Sequence, residues 1–274
     1  MSYKSILVNL DIDSSIAPLA TFATDLASRF EAKLVGFCAA DAPFPAAMAP
    51  DGGAVAMEIW QEQRDAIECR FKKLHAEFEK LVAGAVPLEW REALGGPTRS
   101  LVSLARLADL IVTGASEGAA TGDIYRVADP GSVVLQAGRP VLIAAAGVGH
   151  VRTNIAAVAW KDTHEARRAV ADAVPLLKLA DEVVVLTIAD DPDDWIQAGV
   201  TDVVAFLTRH GIKARSEIIN ANDEGERLTE ALLSCNADLV VSGAYGHSRF
   251  KEWVFGGITR SLLDETGLNR FMSS

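Results

Sequence analysis

Apolar and polar positions along this chain follow two alternating periods. Short, nearly continuous apolar runs at Ser5 to Leu10, Lys33 to Ala39, Pro87 to Ala93, Leu110 to Thr113 and Pro140 to Ala144 read as strands buried on both faces. Between them, apolar residues recur at helical spacing over about Ser15 to Phe30, Ala56 to Leu81 and Pro97 to Leu107, the last with proline in its first turn, and again from about Ser132. Gly147-Val-Gly-His150 reads as a linker, after which the pattern restarts. Strands are expected at Asn154 to Ala159, Glu182 to Ile188, Ile212 to Ile219 and Leu239 to Ser242, with a short, polar closing segment at Leu268 to Met272. Strands that alternate with helices predict parallel sheets, right-handed crossovers and helices on both faces. The expected fold class is α/β, as two tandem doubly wound, Rossmann-like domains, each with a mostly parallel five-stranded sheet.

The chain repeats itself. Ala108-Asp-Leu-Ile-Val-Thr-Gly-Ala115 returns as Ala237-Asp-Leu-Val-Val-Ser-Gly-Ala244, changed only from Ile to Val and from Thr to Ser. Ile6 through Asp41 also aligns with Ile155 through Asp190, pairing Asp13-Ser14 with Asp162-Thr163. These anchors place one domain at 1–146 and a second at 151–274. The first copy carries extra residues at Ala42 to Gly53, a Pro/Gly/Ala-rich stretch without periodicity that reads as a surface loop. Pro140 to Ala144 and Leu268 to Met272 are the segments through which the two domains would pair within the chain, although the polar second segment leaves pairing with another chain, as a homodimer, open.

Composition narrows the partners. The 274 residues are 50% hydrophobic, enough for two cores, and the net charge of −11 lacks the basic footprint that nucleic acid or an anionic membrane requires. No apolar run reaches membrane-span length, and the N-terminus does not read as a signal peptide. Cys38, Cys69 and Cys235 lack disulfide or zinc spacing, which points to a reducing, cytoplasmic setting.

The chemistry concentrates after the repeated strand. Gly243-Ala-Tyr-Gly246 is followed, after nine residues, by Gly256-Gly257-Ile258-Thr259. Glycines let a backbone approach a ligand, and loop amides together with a helix N-terminus can face an anion. The expected ligand is a nucleotide or another phosphate, and His247, Arg249 and Lys251 add positive charge to this loop. The glycines also have a packing reading: Gly114 and Gly243 as tight turns that end a strand, and Gly256-Gly257 as close packing before a helix.

With these residues in view, the chain resembles the universal stress protein family, whose nucleotide-binding members carry Gly-x-x-Gly, nine residues, then Gly-Ser/Thr. The resemblance spans nearly the whole chain as two fused domains. It rests on Ile6-Leu-Val-Asn-Leu-Asp11, Ala32-Lys-Leu-Val35, the two Ala-Asp-Leu repeats and the spaced Gly243, Gly246 and Gly256. It implies a nucleotide-binding α-hydrolase-like fold that pairs through its last strand, a stress-response regulatory role, and ATP, ADP or AMP as ligand, with Mg as a companion ion. Carried over, Gly243, Gly246 and Gly256 approach ribose and phosphates, and Ile188 offers its backbone to the adenine edge. The position after the third glycine departs from the pattern: Gly257 stands where Ser or Thr is usual, with Thr259 close by as a substitute.

The first half departs differently. It keeps Asp11, matching the first-strand carboxylate that contacts adenine, and Gly131-Ser132, but its loop Gly114-Ala-Ser-Glu117-Gly118 places a carboxylate where phosphate would sit. The second half offers Trp160-Lys161 at the first-strand end. Nucleotide is therefore expected mainly in the second domain, with the first as structural partner. The alternative is a nucleotide-free interaction module of the same fold. A slow ATPase is a weaker third reading, because a phosphate-cradling loop supplies neither an attacking water nor a placed base.

Remaining candidates read as structural. His164 has no linked Ser or Cys for a triad, and His75, His150 and His210 lack ligand spacing. Asp190-Asp-Pro-Asp-Asp194 lacks the glycine and distal Glu of a calcium loop and suits a helix start. Cys69 and Cys235 are expected on helices as buried apolar residues, and Trp60, Trp90, Trp160, Trp195 and Trp253 in cores or interfaces.

Overall fold

The structure is a computed structural model and describes residues 2–44, 53–115, 123–147, 149–221, 224–244, 262–263 and 267–274. In the first half the order is β1 (Ser5–Asn9), α1 (Ala17–Phe30), β2 (Lys33–Ala40), α2 (Gly53–Val82), β3 (Leu88–Leu94), α3 (Pro97–Leu104) with a 3₁₀ turn at Ala105–Leu107, β4 (Leu110–Gly114), α4 (Pro130–Gln136) and β5 (Val141–Ala144). The second half gives β6 (Ile155–Ala159), α5 (His164–Leu177), β7 (Glu182–Ala189), α6 (Asp194–Arg209), β8 (Ala214–Asn220), α7 (Glu224–Ser234), β9 (Leu239–Gly243) and β10 (Asn269–Ser273).

The strands form one sheet in the order β3-β2-β1-β4-β5-β10-β9-β6-β7-β8. Every pairing within a half is parallel, and the halves meet at a single antiparallel seam where Phe271 of β10 faces Leu142 of β5. The polar closing segment thus pairs within the chain. All of β10 is buried, Arg270 included, and Arg270 donates from Nη1 to the carbonyls of Leu262 and Leu263. Asn269 explains another polar position, because its Oδ1 accepts from Ala145 N across the seam at 2.9 Å. A side-chain bond ties the halves further, as Tyr3 donates to the Asp172 carbonyl at 2.6 Å; within the second half, Ser273 donates to the Asp172 carboxylate at 2.8 Å. Burial, with Asp172 and Asp109 adding negative charge, raises the Tyr3 phenol far above its ordinary range.

The repeated Ala-Asp-Leu segments have a structural job. Asp109 Oδ2 accepts from the backbone N–H groups of Lys4 and Ser5 at 2.8 and 3.1 Å, and Asp238 Oδ2 from those of Asn154 and Ile155 at 2.9 and 3.3 Å. Each aspartate holds the start of the neighbouring first strand, where backbone donors would otherwise lack partners. The apolar residues that follow, Leu110 to Val112 and Leu239 to Val241, are buried on both faces, the reason the sequence shows a continuous run.

One sequence alignment is corrected by a residue. The sequences align Ile6 with Ile155, but Ser5 pairs with Lys33 as Ile155 pairs with Glu182, so Ser5 is the counterpart of Ile155. A one-residue shift exchanges the faces of a strand, and the aspartate clamps fix which register holds. Asp11 therefore corresponds to Lys161, and the segment from strand to helix is shorter in the second half, 160–163 against 10–16. Other expectations are also revised. Cys69 is exposed on α2, and Cys235 lies just past α7 and is half-buried, since neither faces a closed core. Trp195, in the first turn of α6, is 74% exposed and therefore lies outside the core.

Candidate functional site

Open parallel sheets bind ligands beyond the carboxyl ends of their strands, where the strand order reverses. Here that point lies between β1 and β4 in one half and between β6 and β9 in the other.

In the second half, Gly243 ends β9 at this point, beside β6, and pairs with Ser273 of β10. A Cβ on Gly243 would lie 2.6 Å from the carbonyl carbon of Glu165 and 2.9 Å from Ala166 Cα, inside the first turn of α5. The short 160–163 link brings the helix down onto the strand end, so only glycine fits. Thr163 caps that helix, accepting from Ala166 N at 3.2 Å, and Asp162 pairs with Arg167 at 2.7 Å. Trp160 is buried at the end of β6; its N–H donates to the Leu186 carbonyl at 2.8 Å, and its carbonyl accepts from Thr187 at 3.1 Å. Ile188 sits one residue before the end of β7, pairs with Ile219 and packs on the core beneath the sheet. The structure thus puts Gly243 and Ile188 on the same carboxyl edge of one half-sheet. Gly246, His247, Gly256, Gly257 and Thr259 lie outside the described residues.

The first half has the same strand ends and different chemistry. Asn9, buried at the end of β1, donates from Nδ2 to Asp11 Oδ1 at 3.3 Å and to Thr113 Oγ1 at 3.4 Å. Burial pushes the Asp11 carboxyl up to about 6, against the hydrogen bonds from Asn9 and the Ala128 backbone, and the Asp13 charge adds to the rise. Arg126 grips Asp13 with both Nε and Nη2 at 2.6 Å, which holds the Asp13 carboxyl below its usual range. Asp41 N donates to the Tyr125 carbonyl at 2.8 Å. Residues 123–128 are therefore strapped across the ends of β1 and β2. Gly131-Ser132 falls in the first turn of α4, where Ser132 N is already taken by Asp129 at 2.9 Å. Gly114 is unlike Gly243: a Cβ there would meet only Leu19 Cδ2, at 3.7 Å. Glu117 and Gly118 lie outside the described residues.

A cavity of about 350 Å³ opens beside this strap, between the end of β2 and the face of α2. Asp41, Pro43, Ile67, Arg70 and Arg126 are in its wall. Arg70 donates from Nε to the Ile12 carbonyl at 3.1 Å, and Arg64 lies 3.4 Å from Asp41 and 4.6 Å from the centre of the Trp60 ring. Nothing in the sequence motifs marked this cavity, because its wall joins Arg70 of α2 to Arg126, residues far apart in the chain.

Other candidates take structural places. His75 stacks on Trp90 at 5.1 Å and pairs with Glu79 at 3.3 Å, His164 opens α5, and His210 ends α6. Asp193 caps α6, accepting from Ile196 N at 2.9 Å, with Asp194 in the first turn. No helix among the described residues is long and apolar enough to cross a membrane.

Solved structures match across both halves of the chain. The universal stress protein from Archaeoglobus fulgidus DSM 4304 aligns over 98% of this chain and 96% of its own length, with a TM-score of 0.76 at 13% identity. This is the universal stress protein fold. A functionally unknown protein from Pseudomonas aeruginosa PAO1 matches 98% of this chain and 92% of its own length, with a TM-score of 0.61 at 14% identity. No protein-family model and no curated protein matches the chain. With the universal stress protein fold in hand, the seam at β5 and β10 and the position of Gly243 describe one architecture used twice, with different residues at the two strand ends.

Proposed function

We propose that this chain is a member of the universal stress protein family, a stress-response regulatory protein whose second domain, 151–274, binds an adenine nucleotide. The first domain, 1–146, acts as its structural partner. The observation that carries this reading is the position of Gly243 at the carboxyl end of β9, at the switch in strand order, as the first residue of the Gly-x-x-Gly, nine residues, Gly sequence. In this reading Gly246, Gly256, Gly257 and Thr259 meet the phosphates, His247 adds charge, and Ile188 presents its backbone to the adenine. Mg would accompany a triphosphate.

A second reading is favoured by a different observation. The contact of Gly243 with α5 gives its glycine a packing reason that needs no ligand, as in an interaction module that retains the fold alone.

The two readings separate by calorimetric titration of ATP, ADP and AMP into wild type, Gly246→Val and Thr259→Val, with thermal unfolding run alongside. The proposal expects saturable binding that falls at least about tenfold in either variant, the weight of one or two charge-assisted hydrogen bonds, with the unfolding midpoint unchanged. No heat from any nucleotide at millimolar concentration leaves the interaction module. Gly243→Val is unsuitable here, because its side chain would strike α5 whether or not nucleotide binds.

A further inference from the structure

We propose that the cavity between α2 and the 123–128 strap binds a small organic oxyanion, a carboxylate or phosphate monoester carried on an apolar body. This proposal does not rest on the nucleotide reading, which concerns the other half of the chain.

The wall supplies two guanidinium groups to one small space in a chain whose net charge is −11. Each is held by a bond that leaves donors over. Arg70 spends only Nε, on the Ile12 carbonyl, and Arg126 spends Nε and Nη2 on Asp13. Among the described residues, neither Nη group of Arg70 and not Nη1 of Arg126 has a hydrogen-bond partner. Fixed at one edge, each planar group presents its remaining donors with little further loss of side-chain freedom. Such forks match the paired oxygens of a carboxylate or phosphate.

The rest of the wall fits the body of such a ligand. Ile67 and Pro43 are apolar, and about 350 Å³ is at the lower end of small-molecule sites. Asp41 also faces the cavity, but Arg64 lies 3.4 Å from one of its oxygens, and that same oxygen accepts from Ala42 N at 2.9 Å. Its charge is therefore largely compensated. Asp13 is the group an incoming anion must compete with, since it already occupies one edge of Arg126. The link after β1 thus supplies an internal competitor, and the ligand that wins Arg126 from Asp13 would loosen the hold of 123–128 on the end of β1.

This competition gives the two neighbouring variants opposite signs. Phenyl phosphate and benzoate serve as probes, with phenol as the neutral control, titrated calorimetrically into the full-length protein and followed by the arginine Nε signals in ¹⁵N spectra. At least one anion should saturate in the millimolar range or tighter, shift the Arg70 and Arg126 Nε signals, and outbind phenol. Which of the two binds more tightly tells carboxylate from phosphate. Arg70→Met should weaken binding about tenfold or more, the loss of charge-assisted hydrogen bonds, whereas Asp13→Asn should tighten it several-fold by releasing Arg126. Thermal unfolding midpoints show that both variants remain folded. Equal binding of phenol and the anions, weaker binding in Asp13→Asn, or no saturable binding by wild type and Asp13→Asn at millimolar probe would each overturn the proposal.

Discussion

The two strand-end regions of this chain share a topology and differ in how the first helix of each half is delivered. In the first half the link 10–16 is long enough to carry Asp11 and Asp13 out over the sheet, where Arg126 and the strap meet them. In the second, the link 160–163 is short, Lys161 replaces Asp11, and α5 drops onto the end of β9 against Gly243. A few residues of loop length decide whether the link carries Asp11 and Asp13 over the strand ends or sets the first helix directly against one. The lesson is that repeated sequence in the strands does not imply repeated chemistry at their ends.

The comparison breaks most visibly at the two matched glycines. Gly243→Val is expected to abolish the native fold of the second half, because backbone of α5 cannot move aside as a flexible side chain would. Gly114→Ala should stay within about 0.5 kcal/mol of wild type, as an ordinary contact with Leu19 allows. Urea unfolding of both variants checks this, and equal effects would show that loop length is not the cause.

The seam is where the halves should be indistinguishable. Phe271→Ala, in the fully buried β10, should cost about 3–5 kcal/mol, and Leu142→Ala, its partner in β5, about 2–5 kcal/mol. Both should unfold the halves together, followed by far-ultraviolet circular dichroism and by tryptophan fluorescence. A variant that splits the transition in two would mean that the halves are coupled less closely than one continuous sheet implies.

Asp11 sharpens the contrast through pH. Its carboxyl titrates near 6 in the folded chain against 3.8 ordinarily, so the folded state holds a proton that the unfolded chain has already released. Stability from this group is complete below about pH 4 and is lost as pH rises through about 6. Asp11→Asn removes the cost and should stabilise the protein at pH 7 by up to about 3 kcal/mol, with the gain vanishing below pH 4. Unfolding curves at several pH values test this; a constant gain would assign the effect to packing instead.

The last contrast lies at the helix starts. Thr163→Ala removes the oxygen that accepts from Ala166 N and should cost about 1 kcal/mol. Ile16, at the matching place before α1, makes no side-chain cap, so Ile16→Ala should report only lost burial. Urea midpoints of the two variants check this, with the larger loss, about 2–5 kcal/mol, expected for the fully buried Ile16.

Much of the fold was legible in the pattern of residues. Continuous apolar runs such as Leu239 to Val241 mark strands covered on both faces, and the repeated Ala-Asp-Leu segment marks the doubling. The boundaries were less so. Helix α2 starts at Gly53 rather than Ala56, and β8 at Ala214 rather than Ile212, because apolar periodicity fades at element ends. The register of β1 was misjudged because Ile6 and Ile155 look alike, whereas the deciding contacts, Asp109 with Ser5 and Asp238 with Ile155, join residues far apart in the chain. Of the candidate site, the sequence marked Gly243 and Ile188 and their glycine-rich continuation, but gave no hint that Gly243 also lies against α5.

The sequence by itself determined the local choices: which segments are strands or helices, that the unit occurs twice, and that glycines follow β9. These depend on side-chain period and backbone freedom, which neighbouring residues specify. Only the tertiary structure decided how the units combine. It set β10 antiparallel to β5 although β10 is polar, closed α5 onto Gly243, and brought Arg70 from α2 to the same cavity as Arg126 from the strap. Those outcomes depend on distances between segments separated by many residues, and a chain acquires such distances only when its sheet closes around a shared core.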